Sequence, residues 1–167
     1  MNKTYEHIVH PFPPLYDKDS KILILGSLPS VKSREQMFFY GHPRNRFWKV
    51  MAAVLACEEP ETIEEKKQML HSHHVALWDT IYSCDIIGSS DSSIKHVVPT
   101  ELAPILAQSK VTRIFCNGAT SASYYKKYQQ KELGIEAVTL PSTSPANAAY
   151  SMERLRTIWS DKIGEIV

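Results

Sequence analysis

Four short stretches of the chain are mostly apolar, and amphipathic stretches lie between them. KILILGS (21–27), VALWDTI (75–81), VTRIFCNG (111–118) and IEAVTLPS (135–142) are runs of large or β-branched residues, each bounded by turn formers. Runs of this length and kind predict strands buried on both faces. In RFWKVMAAVLAC, Phe47, Val50, Met51, Val54 and Leu55 recur at helical spacing. ETIEEKKQMLHSHH (61–74) is amphipathic with an acidic start, which suits the helix dipole. PTELAPILAQS (99–109) and TSASYYKKYQQKEL (120–133) are two further helical stretches. Leu155, Ile158, Trp159, Ile163 and Ile166 form a last stripe. Ser144 and Pro145 fit the N-cap and first position of that helix.

Strands alternating with helices predict a three-layer α/β/α fold around a central, mostly parallel four-stranded sheet. The 167 residues fit one domain, 1–167, with residues 1–20 read as a Pro-rich extended arm. Parallel sheets of this kind bind ligands beyond the carboxyl ends of their strands. Those ends are GSLPS (26–30), Trp78-Asp79-Thr80, Asn117-Gly118 and PSTSPANA (141–148). All are small, polar or turn-forming.

Composition narrows the classes of function. A net charge of +1 announces no polyanion partner, so any nucleic-acid contact must come from local clustering. The three cysteines, Cys57, Cys84 and Cys116, include no CxxC pair, which argues against zinc or iron–sulfur ligation. Three free thiols suit a reducing cytoplasm. No apolar run reaches membrane-spanning length. The expectation is a cytoplasmic monomer with no cofactor and no metal. His71, His73 and His74 read as solvated residues at a helix end.

The stretch with most polar chemistry is GHPRNRFW, Gly41 to Trp48, which follows Phe38-Phe39-Tyr40. From the residues alone, Asn45 reads as a helix cap or as a hydrogen-bonding group of a site. His42 lies in a plausible turn or takes part in chemistry. Phe38, Phe39 and Tyr40 are core residues or a stacking surface for a planar ligand.

Four pieces together, ILGSLPS, YGHPRNRFW, ALWDTI with CNGATS, and LPSTSPANA, resemble the uracil-DNA glycosylase superfamily, and most nearly its deoxyinosine (hypoxanthine-DNA) branch. They lie between residues 23 and 148, and YGHPRNRFW is the most specific; the mismatch-specific branch has a similar HPxNRFW. The resemblance implies a monofunctional DNA glycosylase of base excision repair, whose partner is DNA containing a damaged or deaminated base. Such an enzyme flips the base out of the stack and hydrolyses its N-glycosidic bond, with hypoxanthine the first expectation and uracil the second. The best-known branches position water with the third residue of Gly-Gln-Asp-Pro or Gly-Ile-Asn-Pro. Here that residue is Leu28, which cannot hydrogen-bond water, and the resemblance moves the catalytic role to Asn45. Where classical members carry His-Pro-Ser-Pro, this chain has Ser142-Thr143-Ser144-Pro145. Where they end the base-reading strand in Asn, it has Asp79, which only accepts when ionised.

The resemblance makes Gly26, Ser27, Leu28, Pro29, Phe39, Tyr40, Asp79 and Asn117 the base-binding set. DNA contacts fall to Ser30, Lys32, Arg44, Ser142, Thr143, Ser144, Pro145 and Asn147. Ala146-Asn147-Ala148 stands where relatives insert a wedge into the duplex. No lysine falls within the four pieces to serve as a Schiff-base nucleophile. Two other readings compete. A flavodoxin-like nucleotide module would use GSLPS as its phosphate loop, but no GxGxxG or GxxxxGK[ST] occurs. A non-catalytic binder of damaged or abasic DNA would explain Leu28 and Ser142 as losses.

Overall fold

The computed structural model describes residues 4–166; the first three residues of the arm and Val167 lie outside the described residues. In chain order the elements are β1 (Glu6–Val9), β2 (Ile22–Gly26), α1 (Val31–Gln36), α2 (Phe47–Val54), α3 (Ile63–Ser72), β3 (Val75–Asp79), β4 (Ile81–Ile86), β5 (Lys95–Pro99), α4 (Ala103–Ala107), β6 (Arg113–Asn117), α5 (Ala119–Tyr128), α6 (Gln130–Leu133), β7 (Ala137–Leu140) and α7 (Met152–Ile163). The four apolar runs become one parallel sheet in the order β3-β2-β6-β7, flanked by helices. Each residue of β2 and β3 is buried, because these strands have covered faces. Fully burying each large apolar side chain there contributes roughly 1.5–3 kcal/mol. The chain order reverses across β2, with β3 on one side and β6 on the other. That reversal opens a crevice at the carboxyl ends of the strands.

A second sheet was not predicted. β1, β4 and β5 form an antiparallel sheet in the order β1-β4-β5. The arm is therefore built into the fold. Glu6 to Val9 pair with Ile86 to Ser83, and Leu15 bridges to Leu77. His10, Phe12 and Leu15 are buried. The two sheets meet at Thr80, the single residue between β3 and β4. There Gln129 donates to the carbonyls of Thr80 and Thr100, at 3.0 Å each, and Thr100 Oγ1 donates to the Asp79 carbonyl at 2.7 Å.

Three helix boundaries also differ from expectation. The 99–109 stretch contributes strand residue Pro99 before the short α4, and 120–133 divides into α5 and α6. The last helix does not begin at Pro145. It begins at Met152, capped by Ser151, whose Oγ accepts from the Arg154 amide at 3.1 Å. Among the described residues, no helix is long and apolar enough to cross a membrane.

Candidate active site

The floor of the site is made by strand ends. Gly26 closes β2, Asp79 closes β3, Asn117 closes β6 and Leu140 closes β7. A cavity of about 930 Å³ opens over them, within the roughly 300–1,000 Å³ usual for ligand sites. Its wall includes Gly26, Ser27, Leu28, Pro29 and Ser30 from the β2–α1 turn, and Phe39, Tyr40 and Asn45 from the α1–α2 connection. Asp79, Asn117, Ser142, Thr143, Ser144 and Asn147 complete the part foreseen in the sequence. Lys32, Arg44 and Pro145 stand outside this wall. Lys32 is exposed and lies 3.3 Å from Glu35, and Arg44 and Pro145 are exposed.

Gly26 supplies room. A Cβ at that position would lie 2.4 Å from Asp79 Oδ1 and 3.2 Å from the Tyr40 hydroxyl. Both polar atoms therefore sit against the Gly26 backbone. Gly26→Ala must push the carboxylate aside, and overpacking of this kind costs about 1–3 kcal/mol. Thermal unfolding is the check. A variant that melts with wild type and keeps its full base-release rate would show that the close approach is unimportant.

The aromatics divide their roles. Phe38 is buried in the core, with its ring stacked near Trp48 at 6.0 Å, and does not reach the cavity wall. Phe39 borders the cavity while packing edge-on against Phe12 and Trp78. Tyr40 stacks on Phe47 with centroids 4.0 Å apart, so one face of its ring is already covered. Its backbone is left-handed, with φ of 51°, a conformation that costs a non-glycine residue roughly 1–3 kcal/mol. The Tyr40 carbonyl is held by the Trp48 indole N–H at 3.2 Å. The Tyr40 hydroxyl is buried beside the Asn117 amide, without a well-aligned hydrogen-bond partner among the described residues. Burial first, and then the nearby Asp79 carboxylate, raise its pKa far above the ordinary phenol value, so it stays an O–H.

Asn45 divides its amide. From the position before the Arg46 N-cap, Oδ1 accepts from the Phe47 backbone N–H, the first amide of α2, at 2.9 Å, and from Thr143 Oγ1 at 2.8 Å. Two donors fix that atom as the oxygen, which leaves Nδ2 as the other end of the amide at the cavity wall. Thr143 is itself locked. Asn117 Nδ2 donates to Thr143 Oγ1, and the Thr143 amide donates to Asn117 Oδ1, both at 3.0 Å. Asn117 and Thr143 were expected to touch base and DNA directly. Both line the cavity, and these hydrogen bonds between them run inward as a relay that sets the Asn45 rotamer.

Arg46, a half-buried cation of the GHPRNRFW stretch, has a structural task. Its guanidinium donates to the carbonyls of Ser144 and Asn147, at 2.9 Å each, to that of Tyr150, and more distantly to that of Thr143 at 3.4 Å. Its backbone N–H also donates to the Thr143 carbonyl at 3.1 Å. These contacts hold the segment in successive turns, in which the Asn147 N–H also donates to the Ser144 carbonyl at 3.0 Å, and no helix starts at Pro145. Ser142 and Asn147 also hold the loop. Ser142 Oγ accepts from the Ser144 amide at 3.1 Å, and Asn147 Nδ2 donates to the Ser142 carbonyl at 3.0 Å. The tip that remains, Pro145, Ala146, Ala148 and Ala149, is small and exposed.

His10 escaped the sequence reading altogether. Its Nε2 lies 2.6 Å from Asp79 Oδ2, and both side chains are buried. A lone His ahead of Pro11 and Phe12, inside a Pro-rich arm, carries no periodic signal. The one available clue is the apolar Phe12 and Leu15 near it.

The comparisons with known proteins agree with this geometry. A Methanosarcina acetivorans protein named hypoxanthine DNA glycosylase is 31% identical over 144 residues, covering 86% of this chain and 90% of that one. A Methanosarcina barkeri protein of the same name is 29% identical over 158 residues, covering 90% and 94%. The solution NMR structure of a Methanosarcina acetivorans protein, provisionally described as a uracil DNA glycosylase, superposes with a TM-score of 0.77 at 28% identity. That match covers 92% of this chain and 98% of the other. A parallel sheet with a polar recess at its carboxyl ends, in a chain with these relatives, is that of a DNA glycosylase. The family model that matches residues 13–162 is the uracil DNA glycosylase superfamily, and the chain belongs to it.

Proposed function

We propose that the protein is a monofunctional glycosylase that removes a deaminated base from DNA, with hypoxanthine as first substrate and uracil as second. The observation that carries this reading is the carboxylate beside Gly26. Asp79 lines the cavity, and its Oδ1 is an acceptor there. Deamination turns the N1 lone pair of adenine, or the N3 lone pair of cytosine, into an N–H, and places a carbonyl oxygen next to it. An acceptor matches the N–H of that lactam edge. It opposes adenine and cytosine, which present a lone pair at that position. The names of the two Methanosarcina relatives support hypoxanthine as the first choice.

The reaction needs the base flipped into the cavity and a water beneath the sugar. The C1′–N bond breaks with its electron pair leaving on the base, the sugar gains oxocarbenium character, and water oxygen bonds to C1′. Asn45 holds the water through Nδ2, since its Oδ1 is engaged. Leu28 contributes wall, and Ser142, Ser144 and Asn147 present the loop to the opened strand. No lysine lines the cavity among the described residues, which supports hydrolysis without strand cleavage.

The experiment is base release from labelled duplexes carrying one deoxyinosine or one deoxyuridine, read with and without alkali. The expected result is release from deoxyinosine faster than from deoxyuridine, with breaks only after alkali. Release from uracil alone would overturn the order of substrates, and breaks without alkali would overturn the monofunctional assignment. Retention of both bases by folded protein would favour a binder of damaged DNA.

A further inference from the structure

The deepest polar contact of the site is made by a residue of the N-terminal arm. The backbone of His10, just past β1, donates to the Tyr82 carbonyl at 2.7 Å. Its ring is packed against Trp78, with centroids 4.2 Å apart, and edge-on to Phe12 at 4.7 Å. The His10 side chain is fully buried, and that of Asp79 is 5% exposed. Nδ1 of His10 is buried and has no hydrogen-bond partner among the described residues. With the proton on Nε2, the ring donates to Asp79 Oδ2 and leaves only a lone pair at Nδ1. A proton on Nδ1 would strand an N–H among aromatic rings, which is the costlier arrangement.

We infer that His10 is a specificity-determining positioning residue: by donating to Asp79 Oδ2 it turns Oδ1 toward the bound base as an acceptor for the lactam N–H that deamination creates. The inference rests on the deaminated-base reading above. His10 touches no substrate and acts through the carboxylate. Without it, Asp79 would be a buried group free to rotate and present the wrong edge. The donor comes from an arm that the sequence pattern does not mark as functional, so the arm is part of the reading head.

Three variants in the full chain test this, using single-turnover release from duplexes carrying hypoxanthine or N1-methylhypoxanthine. His10→Phe fills the aromatic box and removes the donor. His10→Gln replaces the Nε2 donor at similar reach, and Asp79→Asn is isosteric. The wild type should release hypoxanthine and discriminate against the N1-methyl base. His10→Phe should slow hypoxanthine release by about 100-fold, the scale for a misplaced reacting group, and the N1-methyl substitution should add little further loss. His10→Gln should recover to within about tenfold of wild type. In Asp79→Asn, His10 should hold the amide oxygen, so that Nδ2 faces the base and opposes the N–H. That variant should also lose about 100-fold.

Release at the wild-type rate by folded His10→Phe, or a full N1-methyl penalty retained in it, overturns the inference. Should His10→Phe not fold, Asp79→Asn decides: an active amide variant means that His10 does not fix the carboxylate's orientation. If the wild type itself leaves hypoxanthine in place, the substrate reading fails and this inference fails with it. If the wild type is active and the variants are indifferent, only the role of His10 falls.

Discussion

Asn45→Ala slows single-turnover base release by roughly 100- to 1,000-fold, the loss expected when one preorganised hydrogen-bonding group leaves an active site. The same change removes the acceptor of the first α2 amide, because Oδ1 accepts from the Phe47 N–H, and such a hydrogen bond is worth about 0.5–1.5 kcal/mol net. It also leaves Thr143 Oγ1 without its acceptor. Rate and stability therefore fall together in the alanine variant, and a second substitution separates them. Asn45→Asp keeps an oxygen for both donors and exchanges only the Nδ2 end. It should melt with wild type and still release the base more slowly. Stopped-flow or quenched release with a parallel melting curve reads both effects. Asn45→Ala working at the wild-type rate would remove Asn45 from the mechanism. Asn45→Asp melting as low as the alanine variant would show that the division of the amide between helix start and cavity is wrong.

Arg46→Lys lowers the melting temperature by several degrees and loosens the 143–150 loop. The substitution keeps the charge, but one ammonium cannot span the carbonyls of Ser144, Asn147 and Tyr150 that the guanidinium holds together. Each half-buried acceptor left without a donor costs on the order of 1–3 kcal/mol when water cannot replace it. The site is half-wet, so the expected total is about 2–4 kcal/mol. The relay through Thr143 to Asn45 shares this loop, and base release should fall with it. Limited proteolysis at the exposed 145–149 tip gives a local readout beside the melting curve. An unchanged cleavage rate and an unchanged melting temperature would show that Arg46 contributes only charge.

These two residues stand next to each other in GHPRNRFW, and they show what was legible in the sequence. The strands β2, β3, β6 and β7 were readable because each is a mostly apolar run ended by turn residues, and their ends located Gly26, Asp79 and Asn117 at the cavity; β7, expected to be buried on both faces, is instead the sheet edge, with Val138 and Thr139 exposed. β4 and β5 were not readable. IYSCDI mixes inward and outward positions, and KHVVP ends in a proline, so neither shows a clean period. β1 was hidden by the prolines that follow it. The false helix start at Ser144-Pro145 has a local cause and a tertiary correction. Ser-Pro is a good helix opening by propensity, but Arg46, nearly a hundred residues earlier, holds the segment in successive turns. Ser151, with Glu153 in the first turn, is the real start.

Chemistry was legible by residue type more than by role. Asn117 and Thr143 were recognised as site residues, yet part of their hydrogen-bonding capacity is used on each other and on Asn45. Deciding which end of an amide is spent requires coordinates, since a sequence shows a side chain's donors and acceptors but not their partners. His10 was invisible because its significance depends on Asp79, 69 positions away.

That separation also orders events during synthesis. The arm leaves the ribosome before β3 and β4, but β1 pairs with Ile86 to Ser83, Leu15 bridges to Leu77, and His10 meets Asp79. None of these partners exists until about half the chain has been made. A loop of this length is slow to close, since its ends must find each other before any contact rewards them. The α1 and α2 segments emerge in between and have local contacts to make at once. The arm therefore docks late, and the base pocket has no acceptor of fixed orientation until the arm has come back across β3 and β4.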